Sequence, residues 1–262
     1  MRVREVGFVL AAAWACLASV GFAGDAMHRG GVEFRIENRV FVNNAKEPHA
    51  ESTTIFLGGV VYDYLKKPAE ITVFDPAHAR FILLDTDRRV QTELSLEKVA
   101  SFVEGLRRLA DRWSDPFERF LGAPEFEERF DATSGELTLS SPWLTYRLTT
   151  IGADSAEVAS QYREFSDWHA RLNTLITPGA RPPFARLLVN AALHQRQRLP
   201  TEVELVIRTG KMLPPRKTTI RGEHQWIRRL VESDRDRVAQ TGEFMAIFRS
   251  IDFRQYQEKA WE

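Results

Sequence analysis

The sequence predicts an α+β protein: a curved, mostly antiparallel sheet, open like a half-barrel, with helices packed against it. Three observations lead there. From Glu51 to Leu94 the chain reads ESTTIFLGGVVYDYLKKPAEITVFDPAHARFILLDTDRRVQTEL, a series of short β-rich runs broken at regular intervals by turn chemistry. The connections are too short for parallel neighbours, which need a crossover of a dozen or more residues, so the runs form an antiparallel meander. After Leu94 the apolar period changes from two to 3.6, and helical stripes follow.

Within the meander, Gly58-Gly59 places two residues able to take positive φ between two β-rich runs, a strong hairpin signal. Lys66-Lys67-Pro68 ends the second run, and Asp75-Pro76-Ala77-His78 turns the chain after a third, because Asp bonds its own backbone and Pro presets φ. Phe81 to Leu84 and Val90 to Leu94 complete the series around Asp85-Thr86-Asp87-Arg88-Arg89. A sheet with one wet face alternates apolar and polar residues. Val60-Val61-Tyr62 and Phe81-Ile82-Leu83-Leu84 are apolar at both parities, so both faces of these strands are covered, by the chain's own helices or by an apolar ligand or partner. Tyr62, Tyr64, Phe81 and Leu83, large residues on these strands, are the candidate ligand-binding side chains, with ordinary core as the alternative.

The other elements follow in order. MRVREVGFVLAAAWACLASVGFA has the anatomy of an export signal: Arg2 and Arg4, an apolar run from Val6 to Val20, then Gly21-Phe22-Ala23 as a cleavage site. The apolar run is short for a membrane span. Cys16, the sole cysteine, lies inside the signal; a lipid-anchored chain would begin at it, but Trp14 stands where a small residue is wanted. Val32 to Val42 is a strand with Val32, Phe34, Ile36, Val40 and Val42 on one parity and Glu33, Arg35, Glu37 and Arg39 on the other, charges suited to an outer strand. Ser95 caps a helix whose stripe is Leu96, Val99, Phe102, Val103, Leu106, Leu109, Ala110 and Trp113. Asp115-Pro116 opens a short helical piece. Strands are expected at Phe126 to Phe130, Glu136 to Ser140 and Trp143 to Thr150, and helices at about Ala156 to Ile176 and Pro182 to Arg198. Strands return at Glu202 to Thr209 and Lys217 to Leu230. A last helix begins near Ser233, with Asp236 as its capping acid, and the tail from Ile251 docks. The expected organisation is a signal over 1–23 and one α+β domain over 24–262, with a helical and hairpin insertion at about 115–198.

Charge and composition narrow the function classes. Removing residues 1–23 takes Arg2, Arg4 and Glu5 from 36 residues of each sign, leaving 34 basic against 35 acidic and a net charge of −1. That balance gives no global pull toward nucleic acid or an anionic membrane. Locally the charge is segregated: Asp111 to Glu136 carries eight acidic and three basic residues, and Arg196 to Arg237 eleven basic and six acidic. The basic portion (Lys211, Arg216, Lys217, Arg221, Arg228, Arg229) suits either an anionic head group or polysaccharide, or a solvated strand face.

No motif assigns a reaction, a metal or a cofactor. Asp85-Thr86-Asp87 matches a short acidic metal-binding pattern, but it sits in a hairpin turn where Asp is wanted for local hydrogen bonds. His28, His49, His78, His169, His194 and His224 never fall at metal-helix spacing, and HExxH, GxSxG and Walker A patterns do not occur. His169 reads as a partly buried, hydrogen-bonded helix residue. A carboxylate-pair hydrolase needs no signature motif, and with 35 acidic residues the pair cannot be chosen from sequence.

The runs GGVVYDYL, EITVFD and RFILLDTDRRVQTEL, with helices against a curved sheet and an export signal, resemble the periplasmic lipoprotein carrier (LolA-like) half-barrel superfamily, which includes RseB-type sensors. The resemblance covers Val32 to Asp111 and the C-terminal strands, and it carries no signature residues. It implies an unclosed barrel whose apolar concave face receives acyl chains under helices. The chain departs from it by opening on a strand and by the size of the segment from Asp115 to Arg198. The expected function is therefore an exported, non-enzymatic protein that binds an apolar or amphipathic ligand, such as a lipid or lipoprotein acyl chain, or an envelope partner. It has no nucleic-acid partner and no integral span after signal removal. The alternatives are an extracytoplasmic hydrolase with a carboxylate pair, and a structural or interaction module without a ligand.

Overall fold

The computed structural model describes residues 31–43, 45–110, 112–177, 179–209 and 216–258. The expected signal, Cys16 and Lys211 lie outside them. Glu51 to Leu94 folds as the antiparallel meander its turns require: β2 (Ala50–Leu57), β3 (Val60–Leu65), β4 (Glu70–Asp75), β5 (Arg80–Asp85) and β6 (Val90–Ser95), each paired with the next. Gly58 and Gly59 take φ of 63° and 77°, the pair of positive values a two-residue type I′ hairpin demands. Asp85 acts as the turn residue of the next hairpin, its carboxylate accepting from the Arg88 backbone N–H and Nε.

A second antiparallel meander is formed by β7 (Glu127–Asp131), β8 (Glu136–Ser140), β9 (Leu144–Gly152), β10 (Arg198–Thr209) and β11 (Arg216–Ile227), with the helical segment 153–197 connecting β9 to β10 and a register shift between Pro200 and Glu202. The two meet at β1 (Phe34–Val42), which pairs with β2 on one side and β11 on the other. With β12 (Arg249–Ser250) parallel to β6, the result is one open twelve-stranded sheet in the order β12-β6-β5-β4-β3-β2-β1-β11-β10-β9-β8-β7. The expected α+β curved, mostly antiparallel sheet is what forms. The strands of the segment 115–198 extend this same sheet.

The position expected for β1 is corrected: it is central, not outer. Its charges serve the sheet face and not an edge. Arg35 pairs with Asp234 and Arg39 with Glu223, at 2.8 Å in the second case.

Opposite residues in the ladders share a face, so the apolar faces can be traced across strands. On one face Phe34, Ile36, Phe56, Val61, Phe74, Phe81 and Leu94 meet Val99 and Val103 of α1 (Leu96–Ala110) and Val158, Tyr162, Phe165 and Leu172 of α3 (Ala156–Ile176). The same face continues over the second meander, where Leu137, Leu139, Leu144, Leu148 and Val203 meet α2 (Pro116–Gly122) and α4 (Phe184–Gln195). On the opposite face the apolar cluster lies over the first meander, where Ile55, Tyr64, Ile71, Val73, Ile82 and Leu84 pack under α5 (Glu232–Ile247) with Phe248; beyond it Phe41 and Val206 are also buried. Tyr256 of α6 (Phe253–Glu258) joins the first face. The expectation of two covered faces over β3 to β5 holds residue by residue.

Three local expectations change. Ser95 does cap α1, its Oγ accepting from the Lys98 N–H, but Phe102 and Leu109 of the expected stripe are 37% and 49% exposed, and the residues α1 buries are Val99, Val103 and Ala110. The acid that caps α5 is Asp234 instead of Asp236; its Oδ2 accepts from the Val231 N–H at 2.9 Å. Helix α4 ends at Gln195, and Arg198 already belongs to β10. The basic stretch is largely partnered: Arg221 lies 4.3 Å over the Phe41 ring and pairs with Glu223, Arg228 pairs with Asp154 at 2.8 Å, and Arg196 pairs with Glu128 of the acidic stretch.

Candidate ligand-binding cavity

Helix α3 changes character halfway along its inner stripe. Its first turns present Val158, Tyr162 and Phe165 to the sheet; the later turns present Ser166, His169, Ala170, Asn173 and Thr174. The large side chains pack against Phe56, Phe74 and Trp226, and beyond them the helix leaves space over the middle of β3, β2, β1, β11 and β10. The result is a cavity of about 540 Å3 between the sheet, α3 and the start of α4. That is the size of a small-molecule site. Ile36, Val40, Leu144, Leu205, Leu121 and Phe165 supply apolar walls. Thr174 fixes the α3–α4 corner at the rim, its Oγ1 donating to the carbonyls of Ala170 at 3.0 Å and Arg181 at 3.1 Å.

A polar row crosses the floor. Register sets Asp63 beside Thr54, and Asn38 beside both Ser52 and His224, so four adjacent strands each contribute to one line. Thr54 Oγ1 donates to Asp63 Oδ1 at 2.6 Å, Asn38 Nδ2 donates to Thr54 Oγ1 at 2.9 Å and to Ser52 Oγ at 3.2 Å, and Asn38 Oδ1 lies 2.8 Å from His224 Nδ1. An amide oxygen only accepts, so His224 Nδ1 carries the proton and Nε2 offers a lone pair. Among the described residues Nε2 has no hydrogen-bond partner, and the ring lies back over Gly222, where an added Cβ would come within 3.4 Å of Nε2. A side chain at 222 would crowd the floor.

Burial, helped by the Arg186 charge, holds the His224 pKa down at about 4, so the imidazole is neutral. His169, on the roof, is also held below its ordinary value by burial; Asp63 pulls it upward and Arg186 adds to the lowering. The expected hydrogen bond of His169 is not found among the described residues; its ring instead packs 5.3 Å from Phe165 and faces the hollow. Burial raises the Tyr146 pKa, against Arg186 and Arg181.

None of the four candidate side chains lines this cavity. Phe81 and Leu83 are on the α1–α3 face but fully packed in its core, at 0% and 3% exposure. Tyr62 and Tyr64 are on the opposite face under α5. Tyr64 Oη meets Thr241 Oγ1 at 2.9 Å with Arg237 over its ring, and burial lifts its pKa to about 12. The residues that do line the hollow, Asn38, Thr54, Asp63, Arg186 and His224, had one signal in the sequence. Asn38 is the gap in the apolar parity of Phe34, Ile36, Val40 and Val42, and Asp63 is the gap between Val61 and Leu65.

A second hollow, about 650 Å3, opens on the other face between β1, β2 and β11. Most of its charges are engaged, with Lys66 on Glu51 at 3.2 Å, Arg39 on Glu223, and Thr53 Oγ1 on Glu37 at 2.8 Å. No protein-family model matches the chain, and no curated protein matches it either.

Proposed function

We propose that the chain is an exported, non-enzymatic binding protein that holds an apolar or amphipathic ligand in the hollow between its sheet and α3–α4. The observation that carries this reading is the cavity itself: about 540 Å3, apolar on its walls, with polar groups gathered in one row on its floor. Burying a hydrocarbon chain against such walls stabilises a complex by about 0.8 kcal/mol per methylene removed from water. The resemblance of the strand runs to the lipoprotein-carrier superfamily supports the same class of ligand, as does the apolar run with Arg2 and Arg4 that points to export. A structural module would have its hollow filled by its own helix, and Tyr162 and Phe165 fill only one end of it. A hydrolase would need a second carboxylate across from Asp63, and among the described residues of the lining Asp63 is the only one.

Native mass spectrometry of the protein purified from its own envelope, without delipidation, tests the reading. The expected result is a retained adduct of lipid mass that disappears in Ala170→Trp, where an indole occupies the roof. A clean apo mass for the wild type, with no uptake of added lipid, would sink it.

A further inference from the structure

The charged residues that line the hollow are two arginines and one aspartate. Arg186, half-buried on the first turn of α4, lines the cavity, and Arg181 stands exposed at its mouth. Among the described residues eighteen other lysines and arginines are engaged with carboxylates or aromatic rings. Among the described residues neither Arg181 nor Arg186 makes an ion pair or a side-chain hydrogen bond. A guanidinium carries a planar fork of donors suited to a carboxylate or phosphate, and leaving it half-buried without a partner is costly. Its charge is felt by groups on three separate elements around the hollow, Tyr146 on β9, His169 on α3 and His224 on β11, so the cation acts on the interior and not on the outer surface. Helix α4 begins at the same place on Pro183, which offers its first-turn amides no side-chain acceptor, and the positive end of the helix adds to the field.

Among the described residues the one carboxylate of the lining, Asp63, is on β3. Asp63 also already takes the Thr54 hydroxyl.

We infer that the ligand is an amphiphile with an acidic head, a carboxylate or a phosphate monoester, seated on Arg186 at the start of α4 while its chain lies against Leu144, Leu205 and Ile36. This rests on the binding reading above and sharpens it.

Calorimetric titration of the full chain with a matched set tests it: dodecanoate, dodecyl phosphate, uncharged dodecanol and inorganic phosphate. Wild type is expected to bind one or both acidic amphiphiles at least tenfold more tightly than dodecanol, and the order of the two acids identifies the head group. Arg186→Gln is expected to remove that preference while leaving dodecanol within about threefold, the remaining binding being apolar burial. Equal wild-type affinity for dodecanol and the acids would overturn the inference and leave the binding reading standing. So would a preference that survives in Arg186→Gln, or inorganic phosphate binding as tightly as dodecyl phosphate. If none of the three amphiphiles binds, both readings fall together. The wild-type comparison needs no variant, so a misfolded substitution cannot hide the answer.

Discussion

The two meanders have the same strand count and are both antiparallel, yet they are covered differently. The first, β2 to β6, is apolar on both faces, with α1 and α3 on one and α5 on the other. The second, β7 to β11, has its apolar cluster on one face; its other face buries Val206 but carries charges such as Arg147 and Glu204, 2.8 Å apart. The hollow lies at the seam, where α3 leaves the first meander and α4 takes up the second. A rigid, doubly covered half can hold a helix in place while the other half keeps room beside it. Packing is thus concentrated where no ligand is proposed, and the vacancy sits where one cover ends.

The largest effect that separates the halves is expected from core truncation. Leu84→Ala, at a fully buried site of the first meander, is expected to cost about 3 to 4 kcal/mol in urea unfolding, whereas Leu205→Ala, which already faces the hollow, is expected to cost under about 2 kcal/mol. Equal costs would erase the distinction.

The next effect is a pH dependence seated on the seam. His224 is held at about 4 in the folded chain and titrates near 6.5 when unfolded, so its contribution is intact above about pH 6.5 and is lost as the pH falls toward 4. The gap corresponds to about 3 kcal/mol. Urea midpoints at pH 7.5 and 4.5 are expected to move less in His224→Gln than in wild type by most of that amount; parallel shifts would show that the imidazole is not desolvated. The smallest effect belongs to the bare face. Arg147→Ala, which breaks an exposed pair, is expected to change stability by under about 1 kcal/mol, and a larger loss would mean that this face is covered after all.

Much of the architecture is legible in local chemistry. Gly58-Gly59, Asp75-Pro76 and Asp85 mark their turns because each needs a particular φ or side-chain bond, and the parity of Val60 to Leu84 reports two covers. Long-range pairing leaves no such mark. The charges of β1 read as edge protection because nothing in Val32 to Val42 announces a partner in β11. The site was harder still. Large apolar residues on doubly covered strands, Tyr62, Tyr64, Phe81 and Leu83, are the ones a core consumes, while a hollow is made by what is small or out of pattern: Ser166 and Ala170 on a helix stripe, Asn38 and Asp63 within apolar parities. His224 and Arg186 are ordinary in their own segments and acquire meaning only when β11 and α4 are brought over β1.

The central place of β1 also governs how the protein is made. Its Arg35 lies opposite Ile227 and its Val42 opposite Ile220, so the joint between the meanders waits on chain synthesised about 180 residues later, a separation that slows folding. The hairpins of β2 to β6 can zip locally while the rest is still emerging, but the polar row, three of whose strands come from the start of the chain and one from β11, is completed only once β11 is made. The floor of the hollow is therefore assembled late, after most of the chain has been made.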